Sequence, residues 1–126
     1  MSSLHAAVWI DHNEAKIFHV DDETLDADVI RPRRHLSRHP TQTAERSHPA
    51  DEQHFFHEVA QAVESAREIL VVGPGKAKLE FIKHVQKHDH AIEPKIIGVE
   101  TVDHPTDKQL VAHAKKYFHV SAARVR

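Results

Sequence analysis

Five arginines crowd one polar segment of this chain: Arg31, Arg33, Arg34, Arg38 and Arg46. Between residues 31 and 48 they face a single acid, Glu45, which leaves a net charge of +4 before His35, His39 and His48 are counted. A guanidinium group stays charged at any physiological pH and meets phosphate as a rigid fork, so the segment has the chemistry of a nucleic-acid backbone contact. The alternative is a solvated loop whose charge serves only solubility. Lys76 and Lys78 follow Gly73-Pro74-Gly75 and extend the positive surface if that turn lies near the arginines. The segment lacks the GxxxxGK[ST] spacing of a phosphate-binding loop, and Lys78 stands where GxGxxG requires glycine, so it reads as a tight turn opening a helix.

Histidine is the other chemically able residue. There are fourteen, and the formal charge runs from -2 with all of them neutral to +12 with all protonated. An imidazole titrates near ~6.5, so a histidine-based, pH-responsive interaction surface is one reading. His54 and His57 are three apart, and His84 and His88 are four apart, spacings that share a helix face. A metal site needs a third protein ligand, which neither pair supplies, and no metal or cofactor is expected. Two carboxylates, Asp11 and Glu58, suggest a divalent-metal nuclease as an enzymatic alternative. That set is incomplete, because the run Val71-Val72-Gly73-Pro74-Gly75 offers no further acid, and no residue is assigned a catalytic role. From Asp11 to Asp28 seven acids face only Lys16, so the chain is polarised, with an acidic block set against the arginines.

The elements that must position these residues follow from apolar patterning. Residues 5–11 hold the short buried-strand run Ala6-Ala7-Val8-Trp9-Ile10, and residues 15–20 form a second strand in which Ile17 and Phe18 break strict alternation. A third strand falls within 27–31 and ends at Pro32. Residues 32–50 read as a long exposed loop. A helix follows from Asp51, with Phe55, Val59, Ala62 or Val63, and Ala66 inward and with Asp51 and Glu52 in its first turn. Glu68–Gly73 is a fourth strand. The second helix is expected to turn Leu79, Ile82 and Val85 inward and Lys76, Lys78, Lys83 and Lys87 outward. Residues 95–99 form a fifth strand. The last helix starts near Thr106, with a capping-box spacing to Gln109, and buries Leu110, Ala114 and Phe118. Residues 120–126 read as a basic tail.

The order βββ-α-β-α-β-α predicts an α/β domain with a mixed sheet of ribonuclease H-like topology and helices on both faces. One domain over residues 1–126 accommodates it. Cysteine is absent, which excludes disulfides, thiolate metal sites and a cysteine nucleophile. No apolar run approaches the ~20 residues of a membrane span, and no signal peptide is visible, so a cytoplasmic, membrane-free protein is expected.

Three segments resemble a known group: Ala7-Val8-Trp9-Ile10-Asp11-His12-Asn13-Glu14-Ala15-Lys16-Ile17-Phe18, the run from Ile69 to Phe81 around Gly73-Pro74-Gly75-Lys76, and the closing helix from His104 to Ala114. Together they resemble the bacterial translational machinery proteins, small relatives of the middle domain of the archaeal and eukaryotic class-1 release factor and of Pelota, over residues 5–119. The resemblance implies a partner in the ribosome, ribosomal RNA or tRNA. In the release factor this domain presents a Gly-Gly-Gln loop that promotes hydrolysis of peptidyl-tRNA. The corresponding segment would be 31–48, where Gln42 stands between Thr41 and Thr43 with no glycine beside it. Without the glycines that permit close backbone approach, the resemblance implies binding without hydrolysis, as in Pelota-like domains.

Overall fold

The computed structural model describes residues 5–20, 27–32 and 49–125, with only the backbone of 49, 50 and 120–125. In chain order the elements are β1 (His5–Ile10), β2 (Ala15–His19), β3 (Asp28–Ile30), α1 (Pro49–Ala62), β4 (Glu68–Gly73), α2 (Ala77–His88), a single 3₁₀ turn (Glu93–Lys95), β5 (Ile96–Thr101) and α3 (Asp107–Val125). The five strands form one sheet in the order β3-β2-β1-β4-β5. β2 is antiparallel to β1 and to β3, whereas β4 is parallel to β1 and β5 parallel to β4. This is the mixed, ribonuclease H-like arrangement that the element order predicts.

Why β1 and β4 are continuous apolar runs is clear from what covers them. Ala6, Val8 and Ile10 face a core shared with Phe55, Val59, Val63, Phe81 and Val85, so α1 and α2 lie on that side. Ala7, Trp9, Leu70 and Val72 face Leu110, Val111, Ala114 and Phe118 of α3 on the other. A strand covered on both faces has no solvent side, and alternation disappears. The same holds in β2, where Ile17 belongs to the first core and Phe18 to the second. β5, at the sheet edge, is only partly buried along its length.

Two expectations need correction. The buried face of α2 runs through Ala77, Phe81, His84 and Val85 and includes Lys78, while Leu79 is exposed. Phe81 is the large ring that fills the core, and its i−4 and i+4 neighbours set the phase that an inward Leu79 would have shifted. The segment after Phe118 is also not a separate tail, because α3 runs on to Val125. The start of α3 is as expected: Thr106 Oγ1 accepts from the Gln109 N–H at 3.1 Å, and Gln109 Oε1 accepts from the Thr106 N–H at 3.0 Å. Among the described residues no helix is long and apolar enough to cross a membrane.

Candidate functional site at the carboxyl edge of the sheet

Because β3 and β1 are both antiparallel to β2, the carboxyl ends of β1, β3, β4 and β5 lie at one edge. Each end supplies residues singled out by the sequence. After β1, Asp11 Oδ1 accepts from the N–H groups of Asn13 and Glu14 at 2.8 and 2.9 Å, which folds the turn into β2. After β3 comes Arg31, 72% exposed, its guanidinium 3.4 Å from Glu14. After β4 comes the Gly73-Pro74-Gly75 turn, with Lys76 exposed beyond it. The first turn of α1 meets the same edge, where His12, Pro32, Glu52 and Phe55 line a small hollow.

Gly73 is required by the way the strand ends meet. A Cβ there would run into the carbonyl oxygen of Ile10 at the end of β1. No side chain can be accommodated while the two strand ends stay this close, so glycine brings the Asp11 turn and the Lys76 turn together.

The arginine-bearing segment leaves β3 at this edge and re-enters at α1. Arg31 and Lys76 therefore share one edge. Lys78 stands there too but is only 6% exposed, its ammonium donating to the Gly75 carbonyl, so it braces the turn. Arg33, Arg34, Arg38 and Arg46, with His35, His39 and His48, lie outside the described residues. Acids stand among these bases: Arg31 pairs with Glu14, His12 with Glu80, and Glu52 lines the same hollow as His12 and Pro32, so Glu14 of the acidic block and Arg31 at the start of the basic segment meet at this edge. An exposed pair such as Arg31–Glu14 contributes little stability, and its guanidinium remains available to a stronger anion. His12 donates to Glu80 at 3.0 Å. Burial pushes the Glu52 carboxyl above its ordinary value, the Glu80 charge raises it further, and His12 pulls it down.

The carboxylates considered for nuclease chemistry are engaged separately, Asp11 in its turn and Glu58 with His54 at 3.0 Å one helical turn away. Among the described residues, the group of three metal-ligating side chains within reach of one ion is His57, His84 and Asp89. The fold thus pairs one histidine from each sequence pair across α1 and α2 and adds a carboxylate that spacing did not reveal. Its available signal was an acid directly after helix α2, where the helix dipole disfavours negative charge. Burial pushes the His84 imidazole below its ordinary value; its hydrogen bond and charge contact with Asp89 oppose that, and His88 and His57 add to it.

No protein-family model and no curated protein sequence matches this chain. Solved structures do. Pelota of Archaeoglobus fulgidus superimposes with a TM-score of 0.58 at 17% identity, over 92% of this chain and 32% of that one. Dom34 of S. cerevisiae, a translation termination-like factor involved in RNA quality control pathways and interacting with Hbs1, superimposes with a TM-score of 0.50 at 11% identity, over 97% of this chain and 39% of that one. These likenesses establish a shared domain fold, and the chain spans about a third to two-fifths of the length of those proteins.

Proposed function

We propose that this chain is a translation-associated binding domain that contacts the ribosome, ribosomal RNA or tRNA through the segment after β3 and performs no covalent chemistry of its own. One observation supports the reading: the exposed Arg31, the origin of the five-arginine segment, and the turn that carries the exposed Lys76 both lie at the carboxyl edge of the sheet. Arg31, Arg33, Arg34, Arg38 and Arg46 would hold phosphates, with Lys76 assisting and Lys78 fixing the turn. The fold shared with Dom34, whose role lies in RNA quality control, supports a translation context. The absence of Gly-Gly-Gln from residues 31–48 supports binding over hydrolysis. A cytoplasmic location, with one domain over residues 1–126, accompanies this reading.

Co-sedimentation with ribosomes in low and moderate salt tests it. The wild type should pellet with ribosomes in low salt and less so in moderate salt, and the chain with all five arginines replaced by alanine should remain in the supernatant. Equal pelleting of the two proteins, or none by the wild type, would overturn the proposal.

A further inference from the structure

Helix α2 begins at the carboxyl edge and ends on the opposite side of the molecule, and there two imidazoles converge on one carboxylate. His57 of α1 donates through Nδ1 to Asp89 at 3.1 Å, and His84 of α2 donates through Nε2 to the same carboxylate at 2.8 Å. From this geometry we infer that His57, His84 and Asp89 form a binding site for one divalent transition-metal ion of the zinc class.

The three ligand atoms lie within 4.8 Å of one another. Ligands bound tetrahedrally to zinc at about 2.0–2.2 Å stand roughly 3.3–3.6 Å apart, so small side-chain adjustments convert the hydrogen-bonded triad into a coordination triad. A cation entering between them takes the place of the two shared protons, each of which moves to the other ring nitrogen or to solvent.

The surroundings favour positive charge. Asp89 is the C-cap of α2, its N–H bonded to the Val85 carbonyl, so its carboxylate sits at the negative end of the helix dipole. A divalent ion would satisfy the carboxylate and the dipole together, which hydrogen bonds from two imidazoles do only in part. The positions are also well held. Asp89 is 14% exposed and His84 7%, and the His84 ring contacts those of Phe56 and His88, at centroid distances of 5.7 and 5.1 Å. Rings fixed in this way keep a ligand oriented.

Donor chemistry selects the ion. Two imidazoles with one carboxylate suit zinc and its late first-row neighbours, whereas magnesium and calcium prefer sets made entirely of oxygen. Three protein ligands also leave a coordination position free. It would face an open groove of about 500 Å³ lined by His57, Gln61, Glu64, Asp89 and Lys95, where water or a small anion fits. Nothing in this site depends on the arginine segment.

Calorimetric titration of the full, tag-free chain with Zn²⁺, backed by the visible spectrum of the Co²⁺ complex, tests the inference. The wild type should bind one ion per chain and give the intense absorption of four-coordinate Co²⁺. His57→Ala and Asp89→Asn should each weaken Zn²⁺ binding at least about tenfold and abolish that absorption, and His54→Ala, which removes a neighbouring histidine outside the triad, should leave both unchanged. His57 is 47% exposed on the surface of α1, so its removal spares the core. Zn²⁺ binding distributed over several weak sites, or equal binding by wild type and His57→Ala, would overturn it.

Discussion

Gly73 and Gly75 flank one proline in one turn, yet replacing them by alanine should have opposite effects. At Gly73 the new Cβ would collide with the backbone oxygen of Ile10, and a backbone atom cannot turn aside as a side-chain end can. The ends of β1 and β4 would have to separate, disturbing the pairing next to Trp9–Val72 and the Val102 N–H bond to the Gly73 carbonyl at 3.1 Å. Overpacking of this kind costs about 1–3 kcal/mol, and with backbone on both sides the upper end applies. At Gly75 a Cβ would meet nothing within 4 Å, and no glycine adopts positive φ. Gly75→Ala should therefore stabilise by about 0.4–1 kcal/mol, through the reduced freedom of the unfolded chain. For a chain of this size each kcal/mol moves the melting temperature by about 3–5 °C, so Gly73→Ala should melt about 10 °C below the wild type and Gly75→Ala slightly above it. Thermal and urea unfolding followed by circular dichroism measure both, with unchanged m-values confirming that only stability moved. Two variants within about 0.5 kcal/mol of each other would refute the close approach of β1 and β4.

Two further predictions concern protons. His84 titrates below its ordinary 6.5 when folded, so the unfolded chain binds the proton more readily. Its contribution to stability is complete above about 6.5 and drains away as pH falls through the folded value, so the stability advantage of wild type over His84→Gln should shrink between about pH 7.5 and 5.5; a constant difference in urea midpoints would contradict this. Glu52 has the opposite sign, because its folded value is raised above 4.5. Glu52→Gln should accordingly be more stable than wild type at pH 7, by no more than about 0.5 kcal/mol for a group only partly buried, and the gain should vanish as the pH approaches 4.5; a loss of stability at pH 7 would contradict the burial of its carboxyl and the repulsion from Glu80.

The element order was readable because both sheet faces are covered. Ala6 to Ile10 and Ile69 to Val72 have no polar interruption, and Gly73-Pro74-Gly75 and the Thr106–Gln109 cap punctuate them locally. The phase of α2 was not readable, because the aliphatic stem of Lys78 covers core surface while its ammonium caps the Gly75 carbonyl, and Leu79 faces water. The carboxyl edge was half readable. Arg31 and Lys76 could be chosen by type, but their place at one edge depends on β1 lying between β2 and β4, a long-range pairing that no local pattern encodes. The His57–Asp89 contact spans 32 residues of sequence and was invisible for the same reason.

If the arginines of the segment that begins at Arg31 hold phosphates, the affinity for ribosomes must depend on salt through them. Each phosphate held by a guanidinium steepens the fall of log affinity with log salt by about 0.7–0.9. The wild type should show a steep slope, Arg31→Ala a slope shallower by roughly one such increment, and the chain with all five arginines replaced, in whatever weak affinity it keeps, the shallowest of the three. Identical slopes for the three proteins would contradict it.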